Sequence, residues 1–217
     1  MIQRFDKPNL SQPEYLLCRH AKAKHNIRGE KAVFAGGLVD SELAEDGKKE
    51  IDNVVKDIVS DGGCNAIICS IMKRSQQTAE IIADELEKKL GIRPLIKVIK
   101  NLQEINVGNF TNRTIEYVNK NYPKAAKAFN NGDIINWDFP KGESYKDVTN
   151  RCYSVIHQLS KLAKSDQRVV IIGHGMFNRI FLNIIFPARR ELWQPAVYPF
   201  NKIVAFQIPR ALVGKEL

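Results

Sequence analysis

Short apolar runs and longer amphipathic stretches alternate along the chain. Five runs rich in β-branched and other apolar residues predict buried strands: YLLCR at 15–19, NAIICS at 65–70, LIKVIK at 95–100, RVVIIGH at 168–174 and KIVAFQI at 202–208. Runs apolar at every position suit a parallel sheet covered on both faces. Between them, 43–59 places Ile51, Val54, Val55, Ile58 and Val59 at helical spacing, and 74–90 repeats the pattern with Ala79, Ile82, Ala83 and Leu86 before Gly91. A third helix is predicted over 144–164, opened by a Ser144/Asp147 cap, with His157 in its apolar stripe. Strands alternating with helices predict an α/β fold, a three-layer α/β/α sandwich with a mostly parallel central sheet. One stretch, 105–141, is polar and aromatic and predicts short helices and loops inserted as a lid, with Trp137 and Phe139 in the lid core.

Composition narrows the class. With 217 residues, 44% apolar and 26% charged, the chain has the balance of a soluble protein. We read it as one domain over 1–217 carrying the lid. No apolar run approaches the roughly 18 residues of a membrane span, and the opening MIQRFDKPNLSQPEY has no apolar signal core. The expectation is a cytoplasmic protein with no membrane partner. Cys18, Cys64, Cys69 and Cys152 form no C-x-x-C pair and no zinc spacing, and read as reduced thiols. A net charge of +9 favours anionic partners. That charge is spread along the chain with no basic tail and no aromatic–basic repeat. It points to a small phosphorylated substrate rather than nucleic acid. The oligomeric state is left open, a dimer included.

The candidate chemistry sits at strand ends. Arg19-His20 follows the first strand, Arg74 lies in SIMKRSQQTA, Glu104 in LQEINVG, and His174-Gly175 closes the fourth strand. In α/β sheets, sites form outside the carboxyl ends of the strands, so two histidines, two arginines and one glutamate can share one crevice. Guanidinium groups grip phosphate as a fork, a neutral imidazole attacks phosphorus, and a carboxyl group protonates a leaving oxygen. Lys22, Lys24 and Arg28 either line the mouth of this pocket or form a solvated loop. His25 reads as a surface or rim histidine.

Taken in order, these fragments resemble the histidine phosphatase, or phosphoglycerate mutase-like, superfamily. The opening motif R-H-G with a later Asn is similar to Arg19-His20-Ala21 and Asn26. D-x-x-L-t-x-x-G resembles Asp40 to Gly47, and S-x-x-x-R-x-x-Q-T-A resembles Ser70, Arg74, Gln77, Thr78 and Ala79. L-x-E resembles Leu102-Gln103-Glu104, G-E-S resembles Gly142-Glu143-Ser144, and the second H-G resembles His174-Gly175. The resemblance implies a metal-independent phosphatase in which His20 becomes phosphohistidine. It further implies that Arg19, Arg74, His174 and Asn26 hold the phosphoryl oxygens, with Gly175 beside them, and that Glu104 is proton donor and then base. No cofactor is implied, except 2,3-bisphosphoglycerate for a mutase. Two departures stand out: Ala21 replaces the glycine, and Lys22 adds a cation that favours a substrate with several negative charges. The short insertion after Glu104 is similar to that of small phosphatases. A phosphoglycerate mutase is the alternative reading, and a non-catalytic phospho-ligand binder a further one.

Overall fold

The computed structural model describes residues 1–26, 32–164, 167–194 and 198–213. Strands β1 (Ile2–Gln3), β2 (Glu14–Arg19), β3 (Ala66–Cys69), β4 (Leu95–Val98), β5 (Arg168–Gly173) and β6 (Ile203–Phe206) form one sheet in the order β1-β6-β2-β5-β3-β4. Neighbours run parallel except β2 and β6, so the sheet is mixed but mostly parallel. The period-2 geometry of a strand divides its apolar residues between two cores. Tyr15, Leu17, Ile68, Val169, Ile171, Val204 and Phe206 face one. Leu16, Cys18, Ile67, Cys69, Val170, Ile172, Ile203 and Ala205 face the other. Because both faces are covered, β2, β3, β5 and β6 read as unbroken apolar runs. Edge strand β4 is different: Leu95 is 70% and Val98 48% exposed.

Helices α1 (Glu45–Ser60) and α2 (Lys73–Leu90) cover the second face through the apolar stripes already legible in the sequence. Helix α2 stops where Gly91 turns left-handed at φ 72°. The first face is covered by α5 (Tyr145–Leu162), α6 (Gly175–Ile185), α7 (Arg190–Trp193) and the inserted region. Helix α5 opens on a full capping box between Ser144 and Asp147, a device that contributes about 1 kcal/mol. Its buried stripe is Val148, Cys152, Val155, Ile156 and Leu159. His157 is exposed, which corrects its placement in that stripe. Helix α6 and strand β1 were not predicted. The sequence GMFNRIFLNII does gather Asn178, Arg179 and Asn183 on one face, but Asn178 and Arg179 are buried there and not turned to solvent.

The inserted region forms α3 (Ile115–Asn121), α4 (Pro123–Asn130) and short 3₁₀ turns. It closes over an aromatic cluster in which Phe110 meets Phe34, Tyr122 and Phe139 at ring distances of 5.4, 5.2 and 5.4 Å. Trp137 and Phe139 are buried there as lid core. No helix among the described residues is long and apolar enough to cross a membrane.

Candidate active site

β2 and β5 lie side by side at the centre of the sheet, and their carboxyl ends carry His20 and His174. The backbone N–H of His20 donates to Gly173 O at 3.0 Å, extending the ladder one residue past the strand. The two imidazole centroids are 5.0 Å apart and both rings are buried. His20 has its tautomer fixed by two neighbours. Nδ1 lies 2.7 Å from the Ala21 carbonyl, which only accepts, so Nδ1 carries the proton. Arg74 Nε donates to Nε2 at 3.2 Å, so Nε2 carries the lone pair. Burial holds the imidazole well below its ordinary value, with His174, Arg19 and Arg74 adding their repulsion. The ring is therefore neutral through mild acid.

His174 is set by its position before α6 and by Asn178, whose Oδ1 accepts from the His174 N–H at 3.1 Å. Its Nε2 meets Ser70 Oγ at 2.7 Å, and its Nδ1 is buried without a partner. Burial again keeps this ring neutral, reinforced by Arg74 and Arg19. Arg19 donates from Nη1 to Tyr198 O at 2.9 Å and lies over the Phe200 ring at 4.0 Å, while its Nε is buried and unpartnered. Burial pushes this guanidinium down to about 10. A Cβ on Gly175 would stand 3.2 Å from Arg19 Cζ, a tight contact that would require the guanidinium to shift by a few tenths of an ångström at the start of α6.

Glu104 reaches the site from the other side. Its Oε1 accepts from Ile105 N at 2.9 Å and Phe177 N at 3.0 Å, and its Oε2 accepts from Met176 N at 3.1 Å. The first turn of α6 thus aims the carboxylate. Gly37 makes room behind it, because a Cβ there would lie 2.4 Å from Glu104 O. Arg19, His20, Asn26, Arg74, Glu104 and Gly175 line one cavity of about 230 Å³, walled by Val33, Phe34, Ile115, Phe129 and Met176. Asn26 accepts from Ala23 N through Oδ1 at 2.9 Å, which leaves its amide nitrogen as a donor.

Residues 15–203 match the sequence profile of the histidine phosphatase superfamily, branch 1. The chain belongs to the histidine phosphatase superfamily.

Relatives include 6-phosphofructo-2-kinase/fructose-2,6-bisphosphatase 1 of Homo sapiens, 32% identical over 167 residues, 76% of this chain and 31% of that protein. Fructose-2,6-bisphosphatase of Saccharomyces cerevisiae is 32% identical over 209 residues, 92% of this chain and 40% of that one. The chain therefore spans about a third to two fifths of these relatives. Phosphoglycerate mutase-like protein 4 of Arabidopsis thaliana is 26% identical over 194 residues, covering 87% and 78% of the two chains. Among solved structures, YhfR of Bacillus stearothermophilus shares the fold with a TM-score of 0.72 and 22% identity, over 89% and 90% of the two chains.

Some of the superfamily pattern sits elsewhere than its order suggests. Lys22 Nζ pairs with Asp46 and Lys24 Nζ with Glu42 at 2.7 Å, and neither lines the cavity. The rim reading of these two is corrected: carboxylates near the start of α1 take up their charge, and Lys22 adds no anion contact to the pocket. Arg28 lies outside the described residues. His25, read as a surface or rim residue, is half-buried and lines the cavity. Glu143 is held by Arg151 at 2.6 and 2.9 Å and also accepts from Asn106 N at 2.8 Å. Arg151 in turn donates to the carbonyls of Asn101 and Gln103 at 2.7 and 3.0 Å. This bidentate pair pins the backbone on both sides of Glu104. The sequence reading did not assign Ser70, Asn178, Tyr198 or Arg151 to the site. Only Ser70 had a signal, as the first residue of a motif.

Arg74 is the test of geometry against charge. Its three nitrogens reach His20 Nε2, Val39 O at 2.7 Å and Gly36 O at 3.4 Å from a fully buried position. A lysine carries the same charge on one nitrogen and cannot reproduce that fork. Arg74→Lys is expected to lower kcat/KM for a phosphomonoester by about 10²- to 10³-fold. Steady-state kinetics near wild type would place Arg74 outside the reaction.

Proposed function

We propose that the chain is a phosphatase that hydrolyses phosphomonoesters through a phosphohistidine on His20, without a metal ion. The observation that carries this reading is the His20 ring itself. It is a buried neutral imidazole whose Nδ1–H is spent on Ala21 O and whose Nε2 lone pair lies beside Arg74 at the floor of a cavity. In the proposed cycle, Nε2 attacks phosphorus and the alkoxide leaves with a proton from Glu104. Glu104 then takes a proton from water, and that water attacks the phosphohistidine. Arg19 and Arg74 balance the charge on the phosphoryl oxygens, joined by His174 and by the amide nitrogen of Asn26. The buried, unpartnered Arg19 Nε and His174 Nδ1 are polar atoms that such oxygens would satisfy.

The apolar cavity wall favours a substrate whose alcohol part is uncharged. Arg19 and Arg74 are the cations among the described lining residues, and both lie beside His20. A phosphoglycerate mutase would need further cationic contacts for its substrate carboxylate, which makes hydrolysis the better reading. No group of three or more His, Cys, Asp or Glu among the described residues is placed to hold a metal ion. The test is a panel of phosphomonoesters, with fructose 2,6-bisphosphate and 3-phosphoglycerate included, assayed for inorganic phosphate in the presence of EDTA. Phosphate release that persists under chelation is expected. Transfer to a sugar-acid acceptor without release would favour the mutase, and loss restored by a divalent ion would overturn metal independence.

A further inference from the structure

His25 is a titratable side chain inside the cavity that the proposed cycle does not use. Its ring centroid lies 6.3 Å from that of His20, at an interplanar angle of 55°. It lines the same cavity as Arg19, His20 and Arg74. Its Nδ1 is bonded to Ser41 Oγ, and its other nitrogen has no partner among the described residues. The two ring partners differ in kind. His20 rests on a carbonyl, which accepts only, and so is locked in one tautomer. His25 rests on a hydroxyl, which can donate to a neutral ring or accept from a protonated one. The Ser41 bond therefore survives a change of charge on His25.

We propose that His25 takes up a proton from solvent when a phosphomonoester enters the cavity, and that the resulting imidazolium pairs with a phosphoryl oxygen. The groups it faces are Arg19 and His20 at the end of β2, Arg74 on α2, His174 before α6 and Glu104 across the cavity. Burial, then Arg74 and Arg19, push the empty-site imidazole down to about 4. A bound phosphate dianion opposes both arginines and adds an attraction of its own, so the bound-state value rises. Uptake then occurs between the two values. By linkage, phosphate binds more tightly as pH falls through the bound-state value, and the gain levels off near the empty-site one. The same residue selects for phosphate over neutral ligands of equal shape.

This inference rests on the phosphate-pocket reading, and calorimetry separates the two. Inorganic phosphate is titrated into wild type and His25→Gln at about pH 5.5, between the empty-site and ordinary values, in two buffers of different ionisation enthalpy. The expected result is that wild type takes up about 0.5–1 more proton per phosphate than the variant and binds several-fold more tightly, the affinity difference closing by about pH 8. Equal proton counts with intact binding would overturn the role of His25 and leave the pocket standing. No binding by either protein would overturn the pocket and this proposal with it. Long-range ¹H–¹⁵N NMR of wild type checks the result without a variant. The chain has four histidines, and one ring must change from neutral to protonated on adding phosphate; no such change sinks the proposal.

Discussion

His20→Ala is expected to abolish turnover, with kcat falling by roughly 10⁴- to 10⁶-fold, the range seen when an enzyme loses its nucleophile. The size follows from the site. No other described side chain places an imidazole lone pair at this point of the cavity floor: His174 Nε2 is held by Ser70, and His25 stands 6.3 Å away, ring to ring. Alanine also removes the acceptor of Arg74 Nε, which leaves that guanidinium with its two carbonyl partners. Rapid quench into alkaline detergent with ³²P-labelled substrate should trap a phosphoenzyme in wild type that acid then hydrolyses, and none in the variant. His20→Asn and thermal melting keep the comparison honest about folding, since the ring is buried at the junction of β2 and α2. A variant that folds and retains more than a few per cent of activity, or an acid-stable phosphoserine in wild type, would remove His20 from the reaction.

The parts of this site that were legible in the sequence are those whose physics is local. Strand ends are visible because apolar runs stop at Arg19, Ser70 and His174, and sites in α/β sheets gather at such ends. The Ser144 cap and the Gly91 stop were legible because capping needs particular side chains at fixed offsets. What stayed hidden depends on distant pairing. Arg151 looks like an ordinary helix-surface charge, and Glu143 is visible only as a motif residue, until the fold sets Arg151 against the carbonyls of Asn101 and Gln103 and Glu143 against Asn106 N. Lys22 and Lys24 sit in a cationic cluster that suggests an anion site, yet Asp46 and Glu42 turn them away from it. His25, read as a surface or rim histidine, lines the cavity from a half-buried position. It lies among charged residues in the chain, but the cavity wall and Ser41 enclose it in space. Helix α6 carries its polar residues Asn178, Arg179 and Asn183 on one face, yet Asn178 and Arg179 are fully buried, a placement that no local pattern in the chain announces.

Glu104→Gln is the second large effect, and its reading needs care because the carboxylate has two jobs. All three of its partners are backbone N–H donors, so both oxygens must accept. A glutamine offers one oxygen and one NH₂. Whichever way the amide is turned, an N–H of the variant faces an N–H of Ile105, Phe177 or Met176. The substitution therefore loses position as well as a transferable proton, and an overall fall of roughly 10²- to 10⁴-fold does not by itself identify general acid catalysis. Leaving-group dependence separates the two losses. Misplacement slows every substrate alike, whereas a missing proton matters in proportion to the basicity of the departing oxygen. The expected result is a fall near the upper end for an alkyl phosphate and a fall at least ten times smaller for p-nitrophenyl phosphate, whose phenolate leaves unaided. Arg151→Lys is the control for position alone. It loosens the clamp on residues 101–106 while keeping the Glu104 carboxyl, and should slow both substrates by a similar factor. Equal losses on both substrates in Glu104→Gln would make Glu104 a positioning residue only. The proton would then have to come from another group on the cavity wall, and Glu143 is excluded from that search by its bidentate pairing with Arg151.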